Sequence, residues 1–333
     1  MVGKEGRSTK TRAFKLRIIL AVIGAIFLSP NLGVADFPDK PIQVLVGWPV
    51  GSQNDMTDRA ITQVMQKILK QPLIIQNVPG GGGALVLGKI KTAKADGYTL
   101  FQTGTVQYSR TPHLQKVPYD SKDFAYLGQH AWFQYVLEVR ADSPWKTYEE
   151  LIDYVKKNPK KLRYTTSGVG TSQHVVMEYL ALRENLQWIH VPFTGGTECT
   201  AAILGRHVEA YSSALGAELE QIRGGRLRVL LSLSPKRVSQ FPDVPSLLEK
   251  GYDFVIRSGG TWTVPAGTPK DIQRKLENAL LQAVKDPTVI DVLNKWNWAL
   301  GPLDSESLTK LVEEDYKING ELMKQLGLGI YKK

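Results

Sequence analysis

One cysteine, Cys199, stands in a chain of 333 residues. A single thiol closes no disulfide within its own chain. The fold must therefore rest on a hydrophobic core, which a chain of this length can supply. Long apolar runs are also missing. The stretch 18–28 is unbroken, but it is about half the ~20 residues that a membrane-spanning helix needs. There is no block of five like charges, no repeat at a period of 20–50 residues and no low-complexity linker. These absences exclude a clustered basic nucleic-acid footprint, a solenoid and domains on a flexible tether. The five histidines (His113, His130, His174, His190 and His207) are far apart, with no His-x-x-x-His or Cys-x-x-Cys pair. No metal site is expected, and no cofactor. No G-x-S-x-G elbow offers a nucleophile, and Cys199 reads as a small packed residue.

What is present begins at the N-terminus. Lys4, Arg7, Lys10, Arg12, Lys15 and Arg17 precede the apolar stretch 18–28; Ser29-Pro30 and Gly33-Val34-Ala35 follow it. A basic segment, a short apolar run and a small-residue cleavage site make a secretory signal. Residues 1–35 are expected to be removed after Ala35, placing the mature protein in the periplasm. The whole chain has 42 basic and 32 acidic residues. The signal holds six and one of these, so 36–333 carries 36 and 31, net +5. A mild positive balance suits an anionic solute.

Along 36–333, short β-rich runs alternate with helical patterns. Strands are expected at 42–46, 73–75, 98–101, 164–166, 188–191 and 228–232. Helices are expected at 56–70, capped by Asp55, and at 84–95, 173–183, 269–285 and 305–326. Alternation of this kind predicts α/β sheets with mostly parallel strands. The length predicts two lobes, joined by crossing strands around 135–139 and 258–264. Gly83-Ala84-Leu85-Val86-Leu87-Gly88-Lys89 fits G-x-x-x-x-G-K, but Ile90 stands where a phosphate loop needs Ser or Thr for Mg²⁺. It reads as a tight turn into a buried helix.

Two loops carry the candidate chemistry. Gly51-Ser52-Gln53-Asn54-Asp55 and Ser167-Gly168-Val169-Gly170-Thr171-Ser172 each lie between a strand and a helix. Such loops present free N–H groups and hydroxyls at helix N-termini, which hold anions without Lys or Arg. One from each lobe would pinch a single carboxylate.

These segments resemble a known family. Pro38-Asp39-Lys40-Pro41-Ile42, then Gly51-Ser52-Gln53-Asn54-Asp55 and Arg59, resemble the opening P-x-[KR]-P-I … G-G-x-x-D … R of the Bug receptors. These are the solute-binding proteins of tripartite tricarboxylate transporters. The likeness continues through Asn77-Val78-Pro79-Gly80-Gly81-Gly82-Gly83 and Asp96-Gly97-Tyr98-Thr99-Leu100. It includes Ser167 to Ser172 with His174, His190-Val191-Pro192-Phe193, and Phe241-Pro242-Asp243-Val244-Pro245-Ser246. It implies a two-lobed, periplasmic-binding-protein-like α/β fold of type II kind. Each lobe would be a mixed, mostly parallel sheet flanked by helices, with 36–135 and 260–333 forming one lobe and 136–259 the other. It implies a small mono- or dicarboxylate ligand, aromatic in some readings, a membrane permease as partner and no enzymatic activity; a monomer is the default expectation.

By position, the ligand residues implied are Gly51, Ser52 and Asp55 from the first lobe. From the second they are Ser167, Gly168, Gly170, Thr171, Ser172 and His174, with Thr194, Gly195 and Gly196 nearby. Trp48, Thr103, Gly104 and Ser213 complete the set. Asp55 is expected to shape its loop, because it would repel an anion. His174 is expected either to meet the ligand or to brace the second loop from a buried position. Of the aromatic residues, Trp48 is assigned to the cleft and Trp132 to the core; Tyr108 and Trp262 fit either. Ser52, Trp48, Glu209 and Ser213 depart from the family's usual glycine, Phe, Asp and acid or amide. The residues leave a second class of function open: an exported hydrolase acting on a carboxylated or aromatic ester through a Ser of these loops.

Overall fold

The computed structural model describes residues 37–193, 195–216, 218–254 and 256–332. The expected signal segment 1–35 and Thr194 lie outside them. Strand β1 (Ile42–Val46), helix α1 (Gln53–Leu69), β2 (Leu73–Asn77) and β3 (Thr99–Gly104) open the first lobe. The short helices α2 (Val106–Ser109) and α3 (Thr111–Leu114) and strand β4 (Phe124–Trp132) follow. The second lobe takes β5 (Tyr135–Arg140), α4 (Tyr148–Lys157), β6 (Arg163–Thr166), α5 (Ser172–Glu184) and β7 (Ile189–Pro192). It continues with α6 (Gly196–Leu204), β8 (Ala210–Ala214), α7 (Leu219–Arg223) and β9 (Leu227–Ser232). Strand β10 (Gly259–Pro265) returns to the first sheet and leads into α8 (Lys270–Ala283), α9 (Pro287–Lys295) and α10 (Ser305–Leu326).

The two sheets share one plan, with orders β2-β1-β3-β10-β4 and β7-β6-β8-β5-β9. In each, three strands run parallel, and the fourth, β10 or β5, is antiparallel to both neighbours. The stretches read as crossings are these two antiparallel strands, each wholly inside one sheet. The chain changes sheet just before each, at Phe133-Gln134 and ahead of Gly259. A strand inserted between two partners is covered on both sides, which explains why a single sequence run looked like a connector: β10 is buried throughout.

Helix α1 starts three residues earlier than its apolar spacing indicates. Its N-cap is Ser52, whose Oγ accepts the Asp55 N–H at 3.2 Å. Asp55 reaches back from the first turn and accepts the Gly51 N–H at 2.8 Å. Serine and aspartate three apart satisfy these donors reciprocally, so the aspartate is not itself the cap. The Asp55 carboxylate also accepts from Arg59 Nε at 3.0 Å and Asn77 Nδ2 at 2.8 Å, and Asn77 Nδ2 holds the Trp48 carbonyl as well. The stretch 84–95 is a 3-10 helix over Leu85–Thr92, with Val86, Leu87 and Ile90 buried. Gly80 to Gly83 all have positive φ, a run that only glycine adopts at low cost. They turn the chain sharply into that buried segment, in agreement with the structural reading of the G-x-x-x-x-G-K stretch.

Each lobe has its own core. Leu45, Phe101, Tyr108 and Phe124 belong to the first, and Leu137, Leu151, Tyr164 and Val176 to the second. Helix α10 serves both: Leu308, Leu311 and Val312 pack in the first core, Leu322 and Met323 in the second. A helix of 22 residues is roughly 33 Å long, enough to tie one lobe to the other. Trp262 and Tyr108 are fully buried, and Trp132 packs against the first core with its Nε1 donating to the Gly301 carbonyl.

Buried acids mark the second core. Glu138 on β5 and Glu218 before α7 are almost wholly buried, and both Glu138 oxygens lack a hydrogen-bond partner. Burial first, and repulsion from Glu218 second, hold Glu138 well above its ordinary pKa. A carboxyl that keeps its proton when folded but loses it near 4.5 when unfolded takes stability from the native state as pH rises above that value. Glu138→Gln is therefore expected to melt a few degrees above wild type at pH 8, at about 2–4 °C per kcal/mol, and level with it at pH 4. Asp55 has the opposite sign. Burial would raise its pKa, but the Arg59, Asn77 and Gly51 hydrogen bonds outweigh it and leave the carboxyl below its usual 3.8. Asp55→Asn is expected to lower stability by about 1–3 kcal/mol at pH 7. In thermal melts the difference should close as pH falls through the depressed pKa.

Candidate functional site

The parallel strands β1, β3, β6 and β8 all end at one place, the space between the lobes, where open α/β sheets bind ligands. A cavity of about 680 Å³ opens there, within the usual ~300–1,000 Å³ of a ligand pocket. Trp48 enters it after β1, Val106 and Arg110 after β3, Ser167 and Val169 to Gln173 after β6, and Ala214 at the end of β8. Phe133 and Ser258 line it from the two changes of sheet, and Leu328 from the segment after α10.

Arg110 dominates the electrostatics. It sits at the junction of α2 and α3 in the first lobe, 3% exposed. Its Nη1 donates across the cleft to Ser172 Oγ at 2.8 Å, and its Nε donates to Asn319 Oδ1 of α10 at 2.7 Å. Burial lowers its pKa to about 10, so the guanidinium stays charged at neutral pH. Both acceptors are neutral. The nearby carboxylates Asp315 and Glu314 are bonded to Arg257, and Asp315 acts on Arg110 through its charge without a hydrogen bond to it. Buried charge is costly unless paired, so an anion entering beside Ser172 would meet a cation with capacity to spare.

The loop after β6 is aimed at the same point. Thr171 caps α5, accepting the His174 N–H at 3.4 Å and donating to the Gly168 carbonyl at 2.8 Å. Ser172, at the positive end of a 13-residue helix, shares Arg110. Gly170 has φ +78°, and a Cβ there would lie 3.1 Å from Leu114 Cδ1, so the two lobes already touch at this edge. His174 is buried, and its Nδ1 accepts the Gly170 N–H at 3.1 Å. Its ring stacks on His190 at 4.2 Å, and His190 Nε2 bonds Thr166 Oγ1 at 2.8 Å. Burial lowers the pKa of both histidines, His190 to about 4. Neutral imidazole is what an Nδ1 acceptor requires, so His174 braces the loop from behind.

Of the residues expected from sequence, the cavity brings together Trp48, Ser167, Gly170, Thr171 and Ser172. Gly51, Ser52 and Asp55 turn inward to satisfy one another and do not line it. Thr103 holds the Gly83 carbonyl at 2.8 Å, and Gly104 lies against Gln107. Gly168 accepts hydrogen bonds from Thr166 and Thr171. Gly195 and Gly196 start α6 with Gly196 beside Tyr211, and Ser213 is buried in β8 one residue before the lining residue Ala214. Sequence reasoning missed Arg110, Gln107, Leu114, Phe133, Tyr135, Ser258 and Leu328. An arginine just past the end of a parallel strand was the available signal. Asn54 of the first loop, named only as part of its motif, does reach the cavity, with Oδ1 unpartnered.

The receptor family of the tripartite tricarboxylate transporters matches residues 57–328. A relative from Cupriavidus necator, the UPF0065 protein in the gbd 5′ region, is 34% identical over 309 residues, 92% of this chain and 94% of its own. A solved TctC solute-binding protein from Polaromonas is 26% identical, with TM-score 0.77 over 87% of this chain and 99% of that one. An R. palustris protein solved with adipate shares the fold at TM-score 0.75 and 22% identity, over 88% of this chain and 99% of its own. Strand order, interlobe cleft and sequence agree, and the chain belongs to the tripartite tricarboxylate transporter receptor family, whose members are extracytoplasmic solute-binding proteins.

Proposed function

We propose that this protein is a periplasmic receptor that captures a small carboxylate between its lobes and delivers it to a membrane permease of the tripartite tricarboxylate type. In this reading the signal segment is removed after Ala35 and the receptor works as a monomer. The lobes, 36–135 with 260–333 and 136–259, close on the ligand. The observation that carries the proposal is the buried Arg110 guanidinium in the cleft, whose hydrogen-bond acceptors among the described residues, Ser172 and Asn319, are neutral oxygens. The carboxylate would sit between Arg110 and the N-terminus of α5, taking charge-assisted hydrogen bonds from the guanidinium and the Ser172 hydroxyl at the positive end of the helix. Closure expels water, which strengthens each of these bonds. The adipate-bound protein of the same fold supports a carboxylate as the class.

The hydroxyls of the second loop are occupied in ways that do not suit hydrolysis. Ser172 Oγ accepts from a cation, Thr171 Oγ1 is tied to Gly168, and His174 Nδ1 is spent on the Gly170 N–H. A nucleophilic serine needs a base on its proton; these contacts favour binding over turnover.

The test is a thermal-shift panel of carboxylates on chain 36–333. A ligand at a hundredfold excess over Kd should stabilise by about 2.7 kcal/mol and be recovered unaltered. Ser172→Asp sets a built-in carboxylate against Arg110. It is expected to abolish every shift while circular dichroism and melting stay at or above wild type. Undiminished ligand shifts in that variant would overturn the proposal.

A further inference from the structure

The same cavity constrains the ligand further than the word carboxylate. Among the described residues that line it, Arg110 is the one charged side chain; the rest are apolar, hydroxyl, amide or glycine. No lining residue is an acid. Asp55, the acid of the first loop, does not line it, and its oxygens are engaged by Gly51, Arg59 and Asn77. That arrangement also disposes of the α1 N-terminus as a second anion site. The Asp55 carboxylate already occupies the position where the helix end would attract negative charge.

The cavity therefore has a single anion pole, made of Arg110, Ser172 and the start of α5. Away from it the apolar wall is Trp48, Val106, Leu114, Phe133, Val169 and Leu328, with neutral Gln107, Thr111, Gln115 and Ser258 among them. Trp48 Nε1, Asn54 Oδ1, Gln107 Oε1 and Ser258 Oγ, buried without partners, add only neutral hydrogen-bonding groups. A second carboxylate on this wall would lose water and gain no cation. An ammonium would find no acid and would be repelled by Arg110. Both penalties come from taking charge out of water without compensation.

We infer that the site selects a carboxylate with one negative charge on an uncharged, largely apolar body, and discriminates against dicarboxylates, tricarboxylates and free α-amino acids. The inference rests on the carboxylate-receptor reading above.

Titration calorimetry on chain 36–333 with hexanoate, phenylacetate, adipate, phenylalanine and hexanamide separates the two. Hexanoate and adipate have the same carbon count and differ by one charge. Hexanoate or phenylacetate should bind at least thirtyfold more tightly than adipate and phenylalanine, and hexanamide should be silent. Arg110→Gln should reduce hexanoate to the level of hexanamide. Val169→Lys changes an exposed side chain (70% exposed) on the apolar wall, so the fold is not at risk. Supplying a second cation, it should raise adipate affinity at least tenfold. Adipate or phenylalanine matching the monocarboxylates in the wild type would overturn this inference and leave the receptor reading standing, as would a Val169→Lys variant with unchanged adipate affinity. Silence from all four carboxylates would overturn the receptor reading itself.

Discussion

A guanidinium does not give up its proton near neutral pH, so an arginine buried between two lobes must be surrounded by oxygen. From its position between α2 and α3, Arg110 meets that demand with two groups, Asn319 on α10 and Ser172 at the start of α5. Those elements belong to different parts of the chain, and the requirement brings them to one point. The long helix α10 makes the meeting rigid, because its two ends are packed in different cores. Asn319 lies one turn before Leu322 and Met323, which pack in the second core, and so it reaches Arg110 from the same side as Ser172.

The two sheets repeat one order of strands, yet the loops at corresponding ends have different work. After β1 the loop is closed upon itself: Ser52 and Asp55 consume the free N–H groups of the helix start, and Asn77 ties the result to β2. After β6 the loop is held from behind by His174 and Thr171, which leaves the front of Ser167, Gly170 and Ser172 facing the cavity. The difference follows from the residue three after the cap. An aspartate there neutralises the helix end; a neutral histidine braces the loop and leaves the end open to an anion.

Local chemistry was readable in the sequence, and long-range chemistry was not. Ile42-Gln43-Val44-Leu45-Val46 announces a strand, and the glycine-rich loops announce helix starts. The exact cap of α1 was missed because Asp55 and Ser52 both suit the role, and only the backbone conformation decides between them. The pairing of His174 with His190, stacked at 4.2 Å, and the burial of Arg110 depend on which strand lies beside which. Periodicity carries no information about that. Residues 135–139 illustrate the same limit: the pattern locates a strand but not the sheet that receives it.

The choice of neutral partners for Arg110 bears on release as much as on capture. Two acids lie close by on α10, and Arg257 takes both. Had Asp315 paired with Arg110, an internal ion pair would occupy the cleft, and an incoming carboxylate would have to displace a like charge from a dry site. A serine hydroxyl and an amide oxygen satisfy the guanidinium's geometry without matching its charge. They keep the empty site soluble in its own surroundings and yield to a stronger acceptor at modest cost. The two hydrogen bonds to Arg110 differ in kind, a hydroxyl at the start of α5 and an amide oxygen on α10, so an anion can displace the hydroxyl while the amide leaves the arginine a partner. A receptor that must both hold and surrender its ligand is served by that asymmetry.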